Sequence, residues 1–195
     1  MDGGAARLVL GLGNPGPKYA DTRHNLGFRV VDALAGRLGI AVDRTECNAL
    51  IGGRRIGDVG EVLLAKPLTY MNRSGHAARC LVERRGLEPP AVLVVYDEVS
   101  LPLGRLRLRP SGSPGGHRGM ESVIASLRTE DVARLRLGIG PEGGVPGEEM
   151  LDFVLEPFAR DEREAAAEMV ERAADACRVW IEQGSQAAMN RFNQG

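Results

Sequence analysis

Cysteine, tryptophan, histidine and lysine are all scarce in this 195-residue chain, and each scarcity excludes something. Cys47, Cys80 and Cys177 are odd in number, far apart and without a C-x-x-C pair. They spell neither a disulfide framework nor a zinc signature, so three reduced core thiols are expected. Aromatic residues make up 4% of the chain, too few for a platform on which single-stranded bases stack. No run approaches the roughly 18 apolar residues of a membrane span, and residues 1–7 lack the apolar region of a signal peptide. The expectation is a cytoplasmic protein without membrane contact. No H-E-x-x-H or comparable ligand spacing supports a metal, and Ser74, Ser111 and Ser113 lack a G-x-S-x-G elbow. Arg outnumbers Lys by 23 to 2 throughout, a bias that carries no functional weight here.

What is present suits one α/β domain spanning 1–195, long enough to bury a core without staples. The net charge of −1 hides a polarity. Residues 105–136 hold seven Arg against Glu121, Glu130 and Asp131, whereas residues 142–175 hold eleven acids against Arg160, Arg163 and Arg172. A nearly neutral protein can thus carry one basic face.

The most informative stretch is Gly11-Leu12-Gly13-Asn14-Pro15-Gly16-Pro17-Lys18-Tyr19-Ala20-Asp21-Thr22-Arg23-His24-Asn25, between the apolar run Leu8-Val9-Leu10 and an amphipathic segment from Leu26. Gly11, Gly13 and Gly16 match the G-x-G-x-x-G dinucleotide fingerprint. Pro15 and Pro17 push their preceding residues out of helical geometry, so no helix can start before Thr22 to receive a pyrophosphate. The acidic residue expected about 20 positions on is missing as well, because Asp32 falls within a helical pattern. The cofactor reading is rejected and no cofactor is expected.

Apolar spacing predicts a helix over Leu26–Leu38 ended by Gly39, and strands within 41–66 broken at Gly52-Gly53 and Gly57-Asp58. Pro67 stops the last of these, and a helix from about Arg73 to Arg85 closes at Gly86. Val92–Tyr96 reads as a buried strand ending at Asp97-Glu98. Arg105 to Arg109 alternates, placing Arg105, Arg107 and Arg109 on one face, and Arg134 and Arg136 repeat the pattern on another strand. A helix follows the 110–116 loop to about Leu127, residues 140–150 read as a loop, and the tail from Phe158 is helical. The architecture expected is a mixed, twisted sheet between helices.

Asn14, His24 with Asn25, Asn72 and Asp97 all fall where strands end or helices begin, the places where open α/β sheets bind ligands. Asn14 and Asn72 can offer NH₂ donors to a carbonyl oxygen, His24 can take a proton near neutral pH, and Asp97 can fix its tautomer. These residues suit a water-activating acyl hydrolase without a metal. Bland alternatives exist: Asn72 as a helix cap, Asp97-Glu98 as a polar turn, His24 as an exposed helix start. His76 reads as structural and His117 stays open. The one-signed Arg face suits shared phosphates.

The combination resembles bacterial peptidyl-tRNA hydrolases. The blocks that carry the resemblance are Leu10–Gly16 with Tyr19, Thr22–Gly27, Lys66–Gly75, Asp97-Glu98 with Leu101–Gly104, Gly115–Gly119 and Arg134–Gly140, in the family's order. The C-terminal helix and Arg191-Phe192-Asn193 also fit. The resemblance implies hydrolysis of the ester between an N-blocked peptide and the 3′ end of tRNA, by a monomer that recycles peptidyl-tRNA. It implies His24 as the base, Asp97 as its support, and Asn14 as the group that distinguishes N-blocked from free ends. Tyr19, Tyr70, Met71 and Asn72 would meet substrate, with Arg107, Arg109 and Arg136 on the tRNA phosphates. Arg118 stands where the family usually has Asn, and it is carried over as a substrate-binding position. A silent RNA-binding homologue and a small-molecule hydrolase are the alternatives; the first would lose the catalytic positions, the second would not need the Arg strands.

Overall fold

The apolar run Leu8-Val9-Leu10 becomes the middle strand of a seven-stranded sheet in a computed structural model that describes residues 6–194. Residues 1–5 and 195 of the expected 1–195 domain lie outside the described residues. This strand, β1 (Arg7–Gly11), pairs in parallel with β4 (Gly60–Pro67) on one side and β5 (Val92–Pro102) on the other. β7 (Ala133–Gly140) runs parallel to β5. The edges are antiparallel: β2 (Arg44–Glu46) and β3 (Ala49–Ile56) beyond β4, and β6 (Leu106–Arg109) beyond β7. The sheet is mixed, as expected.

Because side chains alternate along a strand, each face has its own core. Val9 points to the face covered by α1 (Leu26–Leu38) and α5 (Arg163–Phe192). Leu8 and Leu10 point to the face covered by α2 (Ser74–Arg85) and α3 (Arg118–Leu127). Each fully buried Leu contributes about 1.5–3 kcal/mol, and the central strands are apolar on both faces for this reason. α1 lies so close to β1 that a Cβ on Gly11 would collide with the Gly27 carbonyl, and one on Gly27 with the Leu12 backbone. Gly11 therefore serves helix–strand contact, and a 3₁₀ turn over Arg23–Asn25 precedes α1, which begins at Leu26 where the apolar spacing placed it. Gly39 and Gly86 end α1 and α2 in left-handed conformation, as expected.

Several expectations need correction. Gly52-Gly53 does not break a strand; β3 runs through it, with Gly52 giving room for the Ala41 carbonyl to cross. β5 does not stop at Asp97-Glu98 but continues to Pro102, its register against β7 shifting between Glu98 and Pro102. A short helix, α4 (Met150–Leu155), follows the 140–150 loop. Cys47 and Cys80 are not reduced thiols but a disulfide, with Cα atoms 5.6 Å apart. The turn between β2 and β3 places Cys47 and Asn48 at positive φ and sets Cys47 against α2, a meeting that sequence spacing does not reveal. Cys177 is buried and free, and burial pushes its thiol up. Among the described residues no helix is long and apolar enough to cross a membrane.

Candidate active site

His24 arrives on the 3₁₀ turn before α1, Asp97 on β5, and His117 as the N-cap of α3. His24 Nδ1 lies 2.9 Å from both Asp97 carboxylate oxygens, and His117 Nε2 lies 3.2 Å from Oδ1. The surrounding bonds assign the protons. His117 Nδ1 accepts from the Met120 backbone N–H at 3.2 Å, so its Nε2 carries the hydrogen and donates to Asp97. His24 Nδ1, facing a carboxylate, likewise donates, which leaves its Nε2 with an unshared lone pair.

Asp97 is 2% exposed. Burial alone would push its carboxyl up, yet the facing charge of His24 and the hydrogen bonds from His117 and His24 outweigh burial and hold it well below the usual carboxylate range. Tyr96 packs its ring 4.5 Å from that of His117, and burial pushes its phenol up to about 12 against the opposing pull of Arg134 and Arg136. The turn and exposed-start readings of Asp97 and His24 are excluded: one lies within a strand, and His24 is only 9% exposed.

Asn14 is fixed from two sides. Its backbone N–H donates to Asn25 Oδ1 at 2.8 Å, and Asn25 Nδ2 donates back to the Asn14 carbonyl at 2.9 Å. Its side-chain Oδ1 accepts from the Met71 N–H at 2.8 Å, so what Asn14 has left to offer is its NH₂. Met71 is buried against Gly119, while Asn72 beside it is exposed and makes no cap; the helix-cap reading of Asn72 falls. Tyr70 is 62% exposed. Tyr19 sits half-buried in a 3₁₀ turn, outside the crevice over His24.

A crevice of about 500 Å³ opens over His24, Asp97 and His117. Gly115, Gly116 and Arg118 line it, and Val145, Met150, Leu151 and Val154 give it an apolar wall. A smaller hollow of about 310 Å³ holds Asn72 and Arg118. Arg118 thus stands between the two, exposed, with no hydrogen bond or ion pair among the described residues.

The arginines divide. Arg107 pairs across the strands with Arg136, and Arg109 with Arg134, so all four share the α2/α3 side of the sheet. Arg107 and Arg109 are exposed, and Arg136 donates only to Glu98, at 3.3 Å, with its Nε buried and unpartnered. Arg134 corrects the expectation for its strand: it is 2% exposed and donates to the carbonyls of Gly112, Ser113, Glu130 and Val132. It fastens the 110–116 loop and leaves nothing for a phosphate.

Sequence reasoning left His117 open and gave Asn25 no role of its own. The only signal available for either was membership of the Gly115–Gly119 and Thr22–Gly27 blocks. One nitrogen or oxygen from each of His24, Asp97 and His117 falls within 4.8 Å of the others, close enough to crowd a cation. Their hydrogen bonds oppose that use, since both imidazole nitrogens turned to the carboxylate carry hydrogens, where a metal needs lone pairs.

The family model for peptidyl-tRNA hydrolase matches residues 8–195. A peptidyl-tRNA hydrolase of Moorella thermoacetica is 50% identical over 187 residues, covering 95% of this chain and 97% of its own. That of Symbiobacterium thermophilum is 46% identical over 189 residues, covering 96% and 99%. Among solved structures, the peptidyl-tRNA hydrolase of Acinetobacter baumannii superposes with a TM-score of 0.89 at 32% identity, over 100% of this chain and 97% of its own. Fold and relatives together define the class: an α/β enzyme that hydrolyses carboxylic esters. The chain belongs to the peptidyl-tRNA hydrolase family.

Proposed function

We propose that this hydrolase cleaves the ester between the C-terminus of an N-blocked peptide and the 3′ ribose of tRNA, with His24 as general base and without a metal. The observation that carries the reading is the Asp97-anchored imidazole of His24, whose Nε2 stays free to take a proton. His24 removes a proton from water, whose oxygen attacks the ester carbonyl. When the tetrahedral intermediate collapses, the imidazolium returns that proton to the departing ribose oxygen. Asp97, already ionised, supports the positive ring in between.

The remaining residues fit around that step. Asn14, whose NH₂ is unengaged among the described residues while its Oδ1 is held by the Met71 N–H, meets a peptide carbonyl and distinguishes N-blocked from free ends. Asn72 supplies a second NH₂ donor for developing negative charge, Tyr19 and Tyr70 contact substrate beyond the crevice, and Met71 shapes the site. Arg107, Arg109 and Arg136 receive tRNA phosphates, and Arg118, between the two hollows, contacts a phosphate or carbonyl. An ester is an activated acyl group, so these parts suffice: a general base supplies about 10²–10⁴-fold and an oxyanion donor about 10²–10³-fold. In this reading the protein works in the cytoplasm as a monomer on peptidyl-tRNA released from ribosomes.

The test is release of N-acetyl-peptide from charged tRNA by purified enzyme in EDTA, repeated with His24→Asn. Turnover in EDTA with a loss of about 10²-fold or more in the variant, tRNA binding unchanged, is expected. Activity that vanishes in EDTA, or a His24→Asn variant above about a tenth of the wild-type rate, would overturn the mechanism.

A further inference from the structure

α4 supplies Met150, Leu151 and Val154 to the crevice that holds His24, and it is anchored to the core by Val154, with Phe153 and Leu155 packed beside it. It spans six residues, of which only Val154 is buried, and so short a helix is not stable by itself. What ties it to the catalytic turn is Arg23, the residue before the base. Arg23 is 5% exposed, a rare position for a guanidinium. Its Nη1 donates to the Phe153 carbonyl at 3.1 Å, and its Nη2 donates to Glu162 at 2.8 Å. The guanidinium Cζ lies 4.2 Å from the Phe153 ring centroid and 5.4 Å from that of Phe158, with Glu156 at 3.7 Å from Nη1.

The backbone repeats the connection: Arg23 N–H donates to the Glu156 carbonyl at 3.0 Å, and Thr22 bridges Pro157. Glu162 is itself held, accepting from the Ala159 N–H at 2.8 Å. The end of α4 and the turn bearing His24 are thus fastened by one side chain and by the backbone beside it. A guanidinium offers its donors in a fixed planar fork that reaches both acceptors from above the ring, a geometry the compact lysine ammonium does not reproduce.

We infer that Arg23 is a positioning residue for hydrolysis: it straps α4 to the catalytic turn, so that the apolar wall aligns the peptide side of the substrate with His24. The inference rests on the proposed reading that the crevice receives the acyl part of peptidyl-tRNA. Arg23 touches no reacting atom. Its loss misplaces the wall, and a small misalignment of this kind lowers turnover more than binding, because the tRNA body is held elsewhere.

The experiment compares two substrates, N-acetylglycyl-tRNA, which has almost no side chain to lean on the wall, and an N-acetylated apolar tripeptidyl-tRNA. With Arg23→Met, kcat on the tripeptidyl substrate falls about tenfold, kcat on N-acetylglycyl-tRNA falls less than about threefold, and KM for both stays within about twofold. Arg23→Lys restores part of the difference by keeping the charge. Phe153→Leu and Glu162→Gln, which weaken the strap from its other end, skew the two substrates the same way and carry the comparison if Arg23→Met fails to fold. Equal losses on both substrates, with wild type active, would overturn the inference alone. A wild-type enzyme inactive on both would overturn the reading beneath it and the inference together.

Discussion

The His24–Asp97–His117 cluster and the arginines of β6 and β7 are both dense in charge, but they treat it in opposite ways. In the cluster each nitrogen turned to Asp97 is matched to an acceptor, and a backbone N–H locks the second imidazole in place. On the strands, Arg107 and Arg109 face solvent and Arg136 keeps a buried Nε without a partner. A satisfied network fixes one geometry, which suits a step that depends on a single proton position. Cations of one sign, with only Arg136 paired to a carboxylate (Glu98) among the described residues, repel each other and are relieved by anions from outside. Arg134 shows that strand pattern alone does not decide which treatment a residue receives: it shares the face of Arg136, yet donates to four backbone carbonyls.

Breaking the matched side should have the largest effect. Asp97→Asn removes the carboxylate and can present an NH₂ to His24 Nδ1, driving the imidazole hydrogen to the nitrogen that must act as base. A fall of about 10²–10⁴-fold in kcat is expected, with the acid limb of the pH–rate profile moved to lower pH. Stability gives an independent reading. The Asp97 carboxyl is held below its ordinary value, so the unfolded chain binds the proton more tightly than the folded one does. Its contribution is fully present above about pH 4 and is lost as the pH falls from there towards the folded value. Denaturation across pH 2–6, as an approximate range, should show that acid-side loss in wild type and a shallower one in Asp97→Asn. Superimposable rate and stability profiles would reduce Asp97 to a structural strand residue.

A smaller effect separates the two kinds of arginine. Arg134→Met leaves buried carbonyls without donors and should cost about 1–3 kcal/mol in urea denaturation. Arg109→Met, at an exposed position of the neighbouring strand, should stay within about 0.5 kcal/mol. Comparable losses at both positions would show that exposure is a poor guide to their roles.

The smallest changes belong to charge removal on the open face. Arg107→Gln, Arg109→Gln and Arg136→Gln should raise KM more than they lower kcat. Each should also flatten the salt dependence of tRNA binding, by about 0.7–0.9 in slope for every phosphate left without its cation. Peptidyl-adenosine, lacking the tRNA body, should be indifferent to all three. Arg118→Asn sharpens the boundary between the regions. If Arg118 clamps an anion it shifts KM and salt slope like the strand arginines. Unchanged salt slope with equal or better turnover would assign that position to the matched cluster instead.

Much of this was legible in the chain, because it is encoded among near neighbours. The stripe Leu26, Val30, Val31 and Leu34 with Gly39 behind it specifies α1, and Pro15 and Pro17 exclude a phosphate-binding helix before Thr22. Alternation at 106–109 and 133–140 specifies two strands with arginines on one side. His24 was recognisable as chemistry at the edge of an element, and Asp97 as a carboxylate following an apolar run, although it lies within β5 and not at its end. The Cys47–Cys80 bond, the seating of Arg134, the passage of β5 beyond Glu98 and the grip of Arg23 on α4 were decided only in three dimensions. Each depends on which strands lie side by side and in what register, through pairings of residues 33 to 139 positions apart or through carbonyls that a loop happens to turn inward. Periodicity and turn chemistry report the conformation of a segment. They carry no record of the partner that segment will meet, which is why His117 became intelligible only once β5 and α3 had brought Asp97 within reach of it.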